Sequence, residues 1–136
     1  MSSDPPTAEE IAAARDVVDR ALDTLPSYDV RVGDAHTLVG TAGTVTTVAA
    51  VLLGLTSYDR SRVHGARFPR ADVDALVERL LTMTVAEREA LGIPSGRTDV
   101  ICAGALILDR ELLRSSASDL LVSDSDILDG IAWSVA

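Results

Sequence analysis

Thr37-Leu38-Val39-Gly40-Thr41-Ala42-Gly43-Thr44-Val45-Thr46-Thr47-Val48 is the stretch that decides the fold class. A short apolar run from His36 to Val39 meets a Gly-Thr-Ala-Gly-Thr turn, and small and β-branched residues follow. That order places a strand near Ala35–Val39 and a helix from about Thr44 to Leu53, ended by Gly54. Gly40 and Gly43 let the main chain bend tightly and approach a ligand closely. Thr41 and Thr44 add hydroxyls, and the new helix adds unpaired N–H groups and the positive end of its dipole. These are phosphate-binding properties. The same residues also suit a tight strand-to-helix turn that binds nothing.

Upstream, Thr7-Ala8-Glu9-Glu10 reads as a capping box, and a helix runs on to about Leu25 with Ile11, Ala14, Val18, Ala21 and Leu22 on one face. Met1–Pro6 reads as a disordered terminus ahead of a single domain over 7–136. Downstream, 55–68 is irregular, with a short strand at Arg62–His64. Pro69 opens a helix whose apolar face is Val73, Leu76, Val77, Leu80 and Leu81. Thr84-Val85-Ala86-Glu87 is a second capping box, leading a short helix that Gly92 ends. Thr98 or Asp99 caps a long helix to about Leu113, in which Ala103, Gly104 and Ala105 imply close packing. Leu120–Ser123 is a buried strand, and Asp126 starts a last helix through Trp133. Strands alternating with helices give a helix-rich α/β chain with two or three strands. So small a sheet cannot satisfy its own edges, which points to a larger assembly or a dimer.

The chain has 136 residues, 47% of them hydrophobic, and so carries one domain with a real core. Aromatic side chains make up 3%, so that core is aliphatic. A net charge of −9 argues against nucleic-acid binding, since phosphate repels a uniformly acidic surface. Cys102, the single cysteine, excludes an intrachain disulfide and reads as a small buried hydrophobe. No stretch reaches the ~20 apolar residues that span a bilayer. No signal region precedes Thr7, and the expected location is cytoplasmic.

From Gly40 to Thr44 onward the sequence resembles the Ppx/GppA phosphatase family, in its actinobacterial branch. The resemblance runs through Tyr58-Asp59, Val63-His64-Gly65 and Glu87-Arg88-Glu89-Ala90-Leu91. It is sharpest at Gly96-Arg97-Thr98-Asp99-Val100-Ile101-Cys102-Ala103-Gly104-Ala105-Leu106-Ile107-Leu108 and ends at Val122–Ile131. It implies part of an actin-like ATPase (ribonuclease H-like) domain, the later part of the second such domain. It implies hydrolysis of terminal phosphate from polyphosphate or guanosine pentaphosphate, with Mg²⁺ in the intact enzyme. The family's first phosphate loop, Asp-Ile-Gly-Ser-Asn, its Asp-Gly-Gly-Gly-Ser-like second loop and its catalytic glutamate are absent from these residues. The implied partners are a polyphosphate or guanosine polyphosphate and either the missing N-terminal lobe or a second copy. This chain would supply one wall of the cleft and be inactive alone; the alternatives are a non-catalytic binding module and a self-associating structural piece.

Gly40, Thr41, Gly43 and Thr44 are the implied phosphate contacts, with His64, Arg67 and Arg97 as further anion contacts. Arg60, Arg62, His64, Arg67 and Arg70 form a basic stretch that suits phosphate oxygens but better suits a solvated loop. His64 is better placed to orient its loop than to move protons. Arg97 either enters the cleft or pairs with Asp99; the two flank a helix start, which favours Asp99 as a cap and ion-pair partner. Ser123, Asp124 and Asp126 read as a strand end and a helix cap rather than a metal cluster.

Overall fold

A computed structural model describes residues 1–135; Ala136, the end of the expected 7–136 domain, lies outside them. In chain order the elements are α1 (Ala8–Leu22), β1 (Leu38–Gly40), α2 (Ala42–Leu52), α3 (Arg60–Val63), β2 (Arg67–Pro69), α4 (Arg70–Thr82), α5 (Val85–Ala90), α6 (Ile101–Arg114), β3 (Asp119–Val122) and α7 (Ile127–Ser134). Short 3₁₀ turns at Leu25–Tyr28, Val32–Asp34 and Ser95–Arg97 fill the joints.

The sheet has the order β1-β3-β2, with β1 parallel and β2 antiparallel to the central β3. Leu38, Leu120 and Phe68 stand in one row across it, as do Val39, Leu121 and Arg67 in the next. The first row, with Val122, turns to the helices, and Leu120, Phe68 and Val122 are buried. Val39, half exposed, belongs to the opposite face. Because β1 and β3 are parallel, their carboxyl ends lie side by side, and the Ser123 N–H donates to the Gly40 carbonyl at 2.8 Å. Thr41–Gly43 and Ser123–Asp126 are thereby brought to the carboxyl end of the two strands, the end at which open α/β sheets bind ligands.

The core is aliphatic, as composition requires. Val73, Val77, Leu80 and Leu81 of α4 meet Ile101, Ala105, Leu106 and Leu112 of α6, with Val48 and Ala49 of α2 beneath. Cys102 is buried there, its Sγ 3.4 Å from the Leu80 carbonyl, and burial pushes its thiol up. Truncating a fully buried leucine such as Leu80 costs about 2–5 kcal/mol. Helix α1 lies over α6 through half-buried Ile11, Ala14 and Val18. Arg110 grips Asp19 at 2.9 and 2.7 Å and locks the two helices together.

Both expected capping boxes form: Glu10 N–H reaches Thr7 Oγ1 at 3.2 Å, and Glu87 N–H reaches Thr84 Oγ1 at 3.3 Å. Several expectations change. The strand expected at Arg62–His64 is a turn of helix, α3, because Asp59 caps it through Ser61 N at 2.9 Å. The strand falls at Arg67–Pro69, where pairing with β3 imposes it. Helix α1 stops at Leu22 and Pro26 sits in a 3₁₀ turn. Neither Thr98 nor Asp99 caps α6, which begins after Val100; Thr98 is buried and bonds the Ser95 carbonyl. Apart from these changes, Asp4 lies 3.1 Å from the buried Arg88 and accepts from Val85 N at 2.9 Å. Ser2 N–H donates to Glu10, and these bonds hold the Glu10 carboxyl far below its usual range.

Candidate functional site

Helix α2 enters through a strained residue. Ala42 has φ +67°, a left-handed conformation that costs an alanine about 1 kcal/mol. Gly40 and Gly43, expected to make this bend, are not among the positive-φ residues. Gly43 is needed for close approach instead: a Cβ there would meet the Arg97 guanidinium, 3.0 Å from Cζ. Thr41 precedes the helix without a side-chain cap bond, and the first turn carries no acidic residue. Its first-turn N–H groups are therefore left without a capping side chain, which favours an anion there.

Arg97 closes this entry from the side of α6. Its Nη1 donates to the Gly43 carbonyl at 2.8 Å and to Thr47 Oγ1 at 3.2 Å. Pairing with Asp99 does not occur: among the described residues no carboxylate lies within ion-pair distance of Arg97. Gly43, Thr46, Thr47, Tyr58, Arg97, Asp124 and Asp126 then line an open cleft of about 350 Å³. Thr46 and Thr47 are buried and return their hydroxyls to the Ala42 and Gly43 carbonyls, fixing the turn.

The far rim of the cleft is the loop after β3. One Asp124 oxygen accepts from Tyr58 Oη and the other lies 2.9 Å from Arg60 Nε. The Asp124 N–H donates to His64 Nδ1 at 3.1 Å. Asp126 accepts from Leu128 N at 2.8 Å and starts α7, as expected from its position. Burial, reinforced by the bond to Asp124, raises the Tyr58 phenol above its ordinary 10.0.

Of the expected contacts, Gly43 and Arg97 meet in this cleft. Gly40, Thr41 and Thr44 line an adjoining groove of about 420 Å³ with Gly104 and Glu111. Thr44 packs on α6, where a Cβ added to Gly104 would come within 2.9 Å of its Cγ2. His64 holds the Asp124 loop through its ring nitrogen. Arg67 sits on β2, 2.9 Å from Asp119, and lines neither cavity. Tyr58, Thr46 and Thr47 also line the cleft; in the sequence Tyr58 is signalled by the family-like Tyr58-Asp59 pair, whereas Thr46 and Thr47 read as the body of a helix.

The implied Mg²⁺ does not fit the donors present. No group of three His, Cys, Asp or Glu is placed to hold a metal among the described residues. Asp124 has both oxygens engaged, and Asp126 caps a helix. The donors at this wall are the Arg97 guanidinium and the backbone N–H groups at the start of α2, since the Thr46, Thr47 and Tyr58 hydroxyls already donate within the protein. No helix among the described residues is long and apolar enough to cross a membrane.

Comparison with known proteins decides the family. The family model for the Ppx/GppA phosphatases matches residues 1–133. The chain belongs to the Ppx/GppA phosphatase family. Exopolyphosphatase 2 of Mycobacterium tuberculosis is 42% identical over 145 residues, covering 100% of this chain and 44% of that protein. The chain thus spans less than half the length of this relative. The crystal structure of an exopolyphosphatase-like protein superposes with a TM-score of 0.90 at 34% identity, over 98% of this chain and 45% of that one. A crystal structure of the Aquifex aeolicus family member gives a TM-score of 0.88 at 26% identity, over 99% and 43%. The helix-rich α/β architecture is that of these actin-like ATPase-fold proteins, over under half of their chains.

Proposed function

We propose that this chain supplies one wall of the phosphate-binding cleft of an exopolyphosphatase-like hydrolase. The observation that carries the reading is Arg97, which has no carboxylate within ion-pair distance among the described residues and is held against Gly43 at the uncapped start of α2. A phosphate placed there meets a guanidinium, the Thr46 and Thr47 region and helix N–H groups. The ligand class is polyphosphate or a guanosine polyphosphate, in line with the names of the relatives. The attacking water, its activating glutamate and the carboxylates for Mg²⁺ belong to residues outside this chain. A cytoplasmic location is part of the same proposal.

Calorimetry with tripolyphosphate tests it. Binding by the folded protein, weakened about tenfold by Arg97→Gln, is the expected result; equal affinity of the two proteins overturns it. Phosphate release from polyphosphate by the isolated chain is expected to be negligible.

A second lobe is the proposed partner. Helix α7 buries no residue, and Ile127, Leu128, Ile131 and Trp133 stand exposed on it. Among the described residues, β1 pairs on one side alone. An apolar helix and an open sheet edge suit the remainder of the fold, given that relatives are more than twice as long. A homodimer through the same surface is the second reading. Sedimentation across a wide concentration range separates them: self-association supports the dimer, and a monomer that binds a separately made complementary half supports the lobe.

A further inference from the structure

Asp124 poses a problem for any anion site. It is a carboxylate on the rim of the cleft in which a phosphate chain is to sit, in a chain of net charge −9. Left bare, it repels the ligand by the same Coulomb term with which Arg97 attracts it. The structure deals with it through a segment remote in sequence. Tyr58 Oη donates to one oxygen and Arg60 Nε holds the other at 2.9 Å. Arg60 also reaches Ser125 Oγ at 3.4 Å. His64 receives the Asp124 N–H. Arg60 does not line the cleft, so its charge is applied from behind the carboxylate.

Resting on the phosphate reading above, we propose that Arg60 and Tyr58 are positioning residues that neutralise and hold Asp124, so that the cleft rim admits an anion. Arg60 acts through Asp124 and touches no ligand. Tyr58, itself on the cleft wall, holds one carboxylate oxygen of Asp124 through its hydroxyl. Asp126 on the same rim needs no such partner, because its carboxylate is engaged at the N-terminus of α7.

The experiment is tripolyphosphate binding by calorimetry on the whole chain and four variants. Arg60→Gln is expected to weaken binding about fivefold, a modest figure because Arg60 is largely solvated. Arg60→Lys retains most of the affinity, since charge is what matters. Tyr58→Phe weakens binding by about twofold to threefold, with a steeper dependence on salt. Arg60→Gln combined with Asp124→Asn restores wild-type affinity, because the charge that needed balancing is gone. Loss in Arg60→Gln that Asp124→Asn fails to rescue overturns the proposal and makes Arg60 a direct ligand. Unchanged affinity in Arg60→Gln overturns it outright while leaving the phosphate reading intact. No binding by the folded wild type overturns both. Thermal unfolding of each variant separates local effects on binding from loss of fold.

Discussion

Helices α5 and α2 begin in opposite ways. Helix α5, six residues at the periphery, opens with a complete capping box in which Thr84 and Glu87 each satisfy the other's backbone N–H. Helix α2, eleven residues at the heart of the fold, opens with a left-handed alanine, no side-chain cap and no carboxylate in its first turn. Helices α4 and α6 also lack side-chain caps, but neither entry carries a positive-φ residue. A short helix with little burial depends on its cap. A helix anchored by Val45, Val48 and Ala49 can leave its entry strained and open, and strain of this kind gathers where ligands bind.

The comparison can be broken most severely at the packing that supports α2. Gly104→Val drives a side chain into Thr44, and a loss of about 2–3 kcal/mol is expected, read as a fall in denaturation midpoint. Thr44→Ala in the same chain should recover part of it. Unchanged stability would mean that α6 does not brace the α2 entry. Next, Thr84→Ala should cost about 1 kcal/mol, whereas Thr41→Ala should cost no more than a few tenths; equal losses in chemical denaturation erase the contrast. Ala42→Gly should stabilise by about 0.5 kcal/mol, as relief of the left-handed strain outweighs the entropy of glycine. A destabilised variant would show that the Ala42 methyl has a packing role.

The smallest effect is in pH. The Thr84 backbone N–H and hydroxyl hold the Glu87 carboxyl below its ordinary 4.5. A carboxyl so lowered contributes stability that is present above pH 4.5 and lost as pH falls through its folded value. Glu87→Gln should therefore flatten the acid limb of the stability profile slightly, and no variant at 41–44 should do so. An acid limb identical in both proteins removes Glu87 from the account.

What the sequence made legible was local. Thr7 with Glu10, Thr84 with Glu87, and Asp126 before α7 are each readable within four residues, because a cap and its helix are neighbours in the chain. The family-like segments likewise contain Gly43 and Arg97, though not the bond between them. What stayed hidden depends on distance along the chain. Arg67–Pro69 becomes a strand through pairing with β3, some fifty residues on. Arg97 has Asp99 beside it in sequence and Gly43 beside it in space, and the bond goes to Gly43. Tyr58 and Asp124 are separated by 66 positions and meet at the cleft rim. The bend assigned to Gly40 and Gly43 falls on Ala42, a residue whose type gives no hint of a left-handed conformation.

Trp133 is the single tryptophan of the chain, and it stands on α7 with 72% of its surface in solvent. The molecule therefore carries its own optical reporter on the helix that stays uncovered. Its emission should be that of a wet indole in the chain alone. It should shift to the blue, with slower quenching by iodide, when any other polypeptide covers that helix, while ligands entering the cleft leave it unchanged.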